Sequence, residues 1–437
     1  MDNIEFSDFK QLEEYDEGYV VEYKSVFDKS VRGKLPKIIA SFANASGGWL
    51  FIGIEDKQRE GGGATHPICC IEESRTDYSE TIAHIVERRI TPLPRFEVRF
   101  VRDPSNTKQG VLVIEVQEGV EPPYVADGSI YVRVASSSDK YVAEANSYML
   151  IDLQRKSRYF KDEFDRFCRR TVFFPPRTVF GNGLSEGLPI WNLYLKRLGV
   201  TSDEIIPIAK IDADSEDMLE AFKSCFPKET AFCQHSYRSL LIRREIDNCV
   251  DSASPVIELF RDGSMKLSVP LTLLQGDERE AALSRIAEIA PIRNERLAQL
   301  LDGCSTLYDV LQGCRTLDTY LDKKRLNLYD FAVSVEFENA QGAMIYSDRD
   351  SYFDYIGKHG IPFIGTVDDR TEPRIFHRGS GEPPLTACEY GAFNFQEAYG
   401  LPLVTKDELA NPSLISVLLD GLPEEISDAE EREVPNK

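Results

Sequence analysis

The sequence predicts an α/β (α+β) protein built from a small mixed-sheet domain at the N-terminus, a linker helix, and an α+β C-terminal region. Length is the first observation: 437 residues is roughly three times a domain of about 150. The second is that strand and helix patterns alternate over the first 135 residues. The third is a change of pattern beyond Ser138, where a long helical stretch replaces short strands. Together these give domain expectations of residues 1–142, a linker helix over 143–176, an α+β region over 177–422, and an acidic tail over 423–437.

Tyr19-Val20-Val21-Glu22-Tyr23-Lys24 is the first strand. Its period of two puts Val20, Glu22 and Lys24 on one face and Tyr19, Val21 and Tyr23 on the other. A helix follows, because Leu35, Ile38, Ile39, Phe42 and Ala43 recur at i, i+3, i+4, i+7 and i+8 as one apolar stripe. Gly47-Gly48 stops it where a positive φ is wanted. Trp49–Ile54 is apolar on both faces, as expected of a central strand. A helix over Tyr78–Ile90 ends near Pro92 and Pro94, and strands are predicted at Arg95–Val101, Gly110–Val116 and Ser129–Val134.

A helix from about Asp139 to Arg170 runs up to Thr171–Pro176, a loop signal and the expected linker. In the remainder, Pro255–Phe260 and Met265–Val269 flank Asp262-Gly263 as a hairpin, Ala281–Leu301 is predicted helical, and Phe331–Phe337 is a strand. No internal repeat is visible. From Pro423 the tail carries six acids and two bases, the composition of a solvated, disordered end.

Composition narrows the function classes. Apolar residues make up 42% and charged residues 28%, a globular balance rather than a disordered or fibrous one. No run of 18 or more apolar residues occurs, and the N-terminal residues are acidic where a signal peptide is basic. A soluble, cytoplasmic protein with no membrane attachment is expected. The nine cysteines contain no CxxC pair, which suits a reducing compartment. His66, Cys69 and Cys70 raise zinc, but no second ligand pair follows, and idle or buried thiols are the simpler reading.

With 51 basic and 73 acidic residues the net charge is −22, which argues against a protein that coats nucleic acid through a uniformly basic surface. The charge is uneven, however. Residues 1–150 carry 17 bases and 25 acids, whereas residues 151–180 carry eight bases and four acids. A polyanion would therefore be met by a local patch.

Three carboxylates stand out by placement. Glu22 interrupts an apolar strand, Asp56 follows the buried strand Trp49–Ile54, and Glu17 lies in the turn feeding the first strand. Such a trio suits Mg²⁺ or Mn²⁺, hard ions that take oxygen ligands and keep waters for a phosphate to replace. The metal would activate water while Lys24, on the face of Glu22, offers a point charge to the phosphate. The plainer reading is that all three are solvated acids at strand ends. Gly61-Gly62-Gly63 lacks the GK[ST] ending of a phosphate loop and reads as a turn.

Glu17-x4-Glu22-Tyr23-Lys24, the run Ile39–Asp56, Pro122-Pro123-Tyr124 and Ile130-Tyr131-Val132-Arg133-Val134 together resemble the Schlafen AlbA_2 domain, over about residues 10 to 140. That family has an E…EFK strand, an AFANT-GG helix end, an L-IG-DD strand and a P-Y…IYVR ending. The resemblance implies a three-carboxylate, metal-dependent endoribonuclease acting on tRNA or similarly structured RNA. Matched residue by residue, Glu17, Glu22 and Asp56 become the metal ligands and Lys24 the catalytic lysine. Tyr23, Ala45 and Glu55 depart from the pattern, and Glu55 should point away from Asp56 along the strand. Related chains are often labelled ATP-binding, but a helix C-cap explains Asn44–Gly48 without a nucleotide.

After this segment, Arg155, Lys156, Arg158, Lys161, Arg166, Arg169 and Arg170 mix with aromatics on the predicted linker helix. Several share a face and offer an RNA-binding surface; the alternative is a solvated helix whose Asp162, Glu163 and Asp165 pair with those bases. By analogy with two-lobed Schlafens, the single copy here implies self-association as a homodimer. Analogy also implies a prokaryotic source and a role in antiviral defence or stress, with the C-terminal region sensing a trigger, dimerising or restraining the nuclease. Two other readings remain open: a non-catalytic AlbA_2-type nucleic-acid-binding transcriptional regulator, and a protein-interaction adaptor.

Overall fold

The computed structural model describes residues 4–9, 18–55, 67–73, 77–134, 142–169, 189–200, 212–226, 230–236, 239–246, 249–250, 255–289, 299–364, 370–376 and 385–398. They fall into two compact units, one running to Phe167 and the other starting at Cys168. The first unit thus extends beyond the limit at residue 142 drawn from sequence and includes nearly all of the helix expected as a linker.

The first unit begins with β1 (Val21–Lys24), followed by α1 (Lys29–Asn44) and β2 (Gly48–Ile52). Asp28 caps α1 by accepting from the Val31 N–H at 2.8 Å, which satisfies one of the helix's free donors. The stripe read from sequence is the buried one: Leu35, Ile39, Phe42 and Ala43 are fully inaccessible and Ile38 nearly so. At its end Gly47 takes φ +78° and donates to the Phe42 carbonyl at 3.0 Å. A side chain there would strike the Val116 carbonyl oxygen at 2.6 Å, so the glycine is required by conformation and by space.

The chain continues through β3 (Ile71–Glu72), α2 (Tyr78–Arg89), β4 (Ile90–Thr91), β5 (Phe96–Asp103) and β6 (Asn106–Val116). β1 lies parallel to β2, β2 and β3 run antiparallel to β6, and β5 closes the other side of β6 as a hairpin. The sheet is therefore mixed, as expected. One face packs Leu50, Ile52, Leu112 and Ile114 under α1 and α2; the other packs Val21, Tyr23, Phe51, Val111 and Val113 with Phe9. Burial of both faces accounts for the unbroken apolar run of β2.

A second small sheet joins β4, β7 (Val125–Ala126), β8 (Ser129–Arg133) and β9 (Val142–Glu144). β9 lies within the segment predicted to be helix from Asp139. It pairs Val142 with Arg133 and Glu144 with Tyr131, so a long-range partner overrides the local pattern. The helix, α3, runs from Ser147 to Cys168.

The second unit comprises β10 (Ile190–Arg197), α4 (Asp212–Cys225), β11 (Thr230–Ser236), β12 (Ser239–Ile246), β13 (Cys249–Val250), β14 (Val256–Phe260), β15 (Met265–Pro270) and α5 (Gly276–Ala287). It continues with β16 (Leu300–Asp302), α6 (Gly303–Lys323), β17 (Phe331–Glu338), β18 (Met344–Tyr346), α7 (Asp350–His359), β19 (Arg374–Ile375) and α8 (Ala387–Ala398). The main sheet, in order β11-β12-β14-β15-β10-β17-β19 with β13 on β12, is antiparallel throughout. The hairpin at Asp262-Gly263 is present, with Gly263 at φ +74°. The helix expected over Ala281–Leu301 instead starts at Gly276 and stops at Ala287, and Leu300 begins a strand parallel to β18.

The two faces of this sheet differ in kind. Trp191, Leu193, Leu195, Ile257, Leu259, Leu267 and Val335 join the main apolar core with α4 and α6. On the alternate positions stand Asn192, Tyr194, Glu258, Lys266 and Ser268, all nearly inaccessible. Four of them have polar partners: Ser268 Oγ donates to Asn192 Oδ1 at 2.6 Å, Ser239 bonds Glu258, and Tyr194 bonds Glu336. The tail from residue 423 and the expected linker loop at 171–176 lie outside the described residues.

Candidate functional site

β1 carries two of the residues singled out from sequence. Register pairs Glu22 with Leu50 and Lys24 with Ile52, so both side chains leave the sheet on the face covered by α1. Glu22 is 9% exposed. Its Oε1 accepts from Lys24 Nζ at 2.7 Å and its Oε2 from Arg133 Nη1 at 2.8 Å. Burial on its own would raise this carboxyl, but the charge and hydrogen bond of Lys24, then those of Arg133, outweigh it and hold Glu22 below the usual carboxylate range. Glu22 is therefore ionised at neutral pH.

Arg133 lies within the sequence motif, where its residue type and spacing point to no role. Its side chain is completely buried, and it ends β8 at the point where that strand passes β1. Besides Glu22 it donates from Nη2 to the Gly18 and Val21 carbonyls at 2.8 and 3.2 Å, and from Nε to the Tyr19 carbonyl at 3.3 Å. Its guanidinium lies 4.2 Å from the centre of the Phe42 ring. A charge closing an otherwise apolar strand was the only signal available; the partner lies 111 residues away.

Asn44 and Tyr124, also inside the motif, hold the same frame. Asn44 Nδ2 donates to the carbonyls of Tyr124 and Tyr131 at 2.9 and 2.8 Å, while its Oδ1 accepts from the Tyr124 N–H at 2.7 Å. A side chain at Gly48, with φ +158°, would meet the Phe42 ring at 2.3 Å and the Val20 carbonyl at 2.6 Å. The Asn-Ala-Ser-Gly-Gly segment is thus a helix end pressed between strands, as its C-cap reading requires.

Lys24 remains the accessible member of the cluster, with 24% of its side chain exposed, and it also donates to the Tyr23 carbonyl at 2.7 Å. Glu17 and Asp56 lie outside the described residues, as do Arg170 and His66. Among the described residues no group of three or more His, Cys, Asp or Glu is placed to hold a metal ion. Cys69 is exposed and Cys70 half-buried. Glu55, left outside the site from sequence, is exposed and donates its backbone N–H to the Pro67 carbonyl at 3.0 Å.

On α3 the predicted basic set divides. Arg155, Arg158, Lys161, Arg166 and Arg169 are exposed, and helical periodicity gathers Arg155, Arg158 and Arg166 on the face that also bears Tyr148 and Tyr159, which are 79% and 63% exposed. Lys156 points elsewhere: it bonds the Ala45 carbonyl and pairs with Glu118 at 2.6 Å, tying α3 to the end of α1. Arg155 pairs with Asp152 at 3.2 Å and Arg166 donates to the Asp162 carbonyl at 3.3 Å, so neither is committed to a buried contact. Among the described residues no helix is long and apolar enough to cross a membrane.

Comparison with known proteins gives three findings. No curated protein matches. Among solved structures the chain is similar to the DIP2311 protein from Corynebacterium diphtheriae, with a TM-score of 0.22, 18% identity, and coverage of 48% of this chain and 30% of that one. The family described as Schlafen, AlbA_2 matches residues 17–142. The matched segment contains β1, α1, β2 and β8, with the Glu22, Asn44 and Arg133 that join them. Residues 17–142, under a third of the chain, are similar to the Schlafen, AlbA_2 family, and this similarity supports a nucleic-acid-related function.

Proposed function

We propose that the N-terminal unit is a metal-dependent endoribonuclease acting on tRNA or similarly folded RNA, with Glu17, Glu22 and Asp56 as ligands and Lys24 at the phosphate. The observation that carries this reading is Glu22, a nearly inaccessible carboxylate kept ionised beside a lysine that reaches solvent. An ionised carboxylate is the donor that Mg²⁺ or Mn²⁺ takes. Each Glu22 oxygen uses one lone pair on its cation partner and retains another.

Charge balance tests the fit further. Glu22 with Lys24 and Arg133 sums to one positive charge, so a divalent ion needs the two further carboxylates that Glu17 and Asp56 supply. Bound there, the ion would supply an activated water and neutralise charge on the scissile phosphate. Arg133 fixes the Glu22 rotamer and the Gly18–Val21 backbone, which sets the carboxylate before substrate arrives. Lys24 exchanges its bond to Glu22 for a phosphate oxygen, stabilising negative charge as it develops. The exposed arginines and tyrosines of α3 offer phosphate contacts and stacking surfaces for the RNA.

One observation favours a second reading, a nucleic-acid-binding regulator without catalysis. Arg133 spends three of its bonds on backbone carbonyls, which is the behaviour of a structural clamp, and Glu22 would then be its counter-ion. Wild type, Glu22→Gln and Asp56→Asn incubated with bulk tRNA in Mn²⁺ or in EDTA separate the two. The nuclease cuts only as wild type with metal, whereas the regulator retards RNA in all forms and cuts in none. Thermal melts of the variants confirm that they are folded. Cleavage that persists in both variants removes these acids from the site.

A further inference from the structure

A cavity of about 370 Å³ lies between α1 and α2, lined by Lys29 and Arg32 from one helix and by His84, Ile85, Arg88 and Arg89 from the other. No carboxylate lines it, in a chain whose net charge is −22. Arg89 is neutralised by Asp127 through two bonds of 2.7 and 2.6 Å, and His84 lies 4.0 and 3.8 Å from Glu80 and Glu87. Arg32 rests 4.6 Å from the centre of the Phe27 ring. Lys29 and Arg88 are exposed and make no hydrogen bond or ion pair among the described residues.

Helix electrostatics explains only half of this set. Arg88 and Arg89 sit in the last turn of α2, where the dipole favours cations. Lys29 is the first residue of α1 and Arg32 follows one turn later, where the dipole opposes cations; the acid at that end is the capping Asp28, which accepts from the Val31 N–H and pairs with neither. These two run against the local helix preference, and a phosphate ligand would account for gathering them.

We propose that this groove binds the phosphate backbone of RNA, as a contact separate from the Glu22 cluster. The ligand chemistry is a phosphate oxyanion. A polymer backbone is favoured over a small phosphate compound because the cations are spread over two helices and exposed, with no buried donor to enclose a lone anion. Naming RNA rests on the function proposed above; attraction for phosphate does not.

The test uses the full chain in EDTA, so that binding is read without cleavage. A labelled RNA hairpin is titrated by anisotropy with wild type, with Lys29→Glu/Arg88→Glu, and with the charge-matched control Lys108→Glu/Lys358→Glu, whose positions are exposed and outside the groove. Lys29→Glu places an acid at the start of α1, which favours that helix, whereas Arg88→Glu places one in the last turn of α2, so a thermal melt of each variant checks that it is folded. The expected result is a loss of about tenfold or more in the groove variant and a salt slope smaller by about 1.4–1.8, the range for two phosphates in the loop or stem of the hairpin. The control should stay within about twofold of wild type.

Equal losses in groove variant and control, or none in the groove variant, overturn the proposal. A parallel titration with tripolyphosphate identifies the source of the phosphate. If the groove variant loses tripolyphosphate binding while its RNA affinity is unchanged, the ligand is a small phosphate compound and the assignment to RNA is overturned. Wild type that binds RNA through the groove but never cuts it with metal sinks the nuclease and leaves this inference standing.

Discussion

Replacing Arg133 with Met removes a fully buried guanidinium while keeping an unbranched side chain of similar reach. The variant leaves Glu22 with Lys24 alone, and strips the Gly18, Tyr19 and Val21 carbonyls of a shared donor. Removing one member of a buried pair costs about 3–5 kcal/mol. Lys24 still bonds Glu22 at 2.7 Å and is partly exposed, so the lower end, about 3 kcal/mol, is expected. The chain has two tryptophans, and Trp49 stands on β2 opposite Val21. In a Trp191→Phe background, Trp49 fluorescence in urea therefore reports the first unit. With a slope of about 1–3 kcal/mol/M, the midpoint should fall by about 1–3 M. Because Glu22 is held below its ordinary value, its contribution is present above the unfolded pKa and lost as pH falls through the folded one. Without Arg133 that acid-side loss should begin at a higher pH. A cost below about 1 kcal/mol, or an unmoved acid limb, would refute the clamp.

Other outcomes follow from the same contacts. Burial, then the charge of Glu97 on the neighbouring strand, raises Glu115 from 4.5 to about 7. The folded state thus holds this proton where the unfolded chain has released it, and stability falls as pH rises between those values. Glu115→Gln should stabilise at pH above that window and not below it; the upper limit is about 3 kcal/mol, brought to about 1 kcal/mol by screening of a half-exposed group, as read by calorimetry at the two pH extremes. Asn44→Ala leaves the buried Tyr124 N–H unpaired and should cost about 1–3 kcal/mol in the same urea assay, against about zero if Asn44 served a nucleotide instead. Gly48→Ala forces a Cβ into Phe42 and the Val20 carbonyl and should cost about 2 kcal/mol or more, a melt within error of wild type being the contrary result.

Local periodicity made much of the first unit legible. β1, α1, β2, α2, the β5–β6 hairpin and β8 follow alternation or a helical stripe and end at turn residues, so no distant contact was needed to find them. The hairpin around Gly263 was readable for the same reason. β9 was not, because Val142–Glu144 is a strand only through its pairing with β8. At Leu297–Leu301 the apolar run suits helix and strand alike, and pairing of Leu300 with Met344 decides for strand. α6 buries Asp309, Gln312 and Thr316 and carries Gly313 mid-helix, which hides an amphipathic pattern. A Cβ at Gly313 would meet Leu267 at 2.8 Å, so close approach to β15 sets that residue. In the candidate site, period two correctly put Glu22 and Lys24 side by side, whereas the role of Arg133 depends on strands far apart in sequence.

The residues that make the motif recognisable divide by physical task. Asn44, Gly47, Gly48 and Arg133 are used up in contacts that fasten α1, β1 and the 118–133 segment to one another. Each is required whether or not RNA is cut, so their presence speaks for the shape of the domain. Glu22 and Lys24 differ, because a counter-ion for Arg133 alone does not need a second cation on its other oxygen. The Lys24 bond makes the cluster positive, which raises the demand for negative partners: the carboxylates at 17 and 56, a phosphate, or both. Catalysis requires the first two as well as the phosphate, and simple binding requires only the phosphate. The response of RNA affinity to Asp56→Asn in EDTA tells them apart: removing a ligand acid should leave affinity unchanged or raise it by lifting repulsion, and a fall would make Asp56 part of the RNA contact rather than of a metal site.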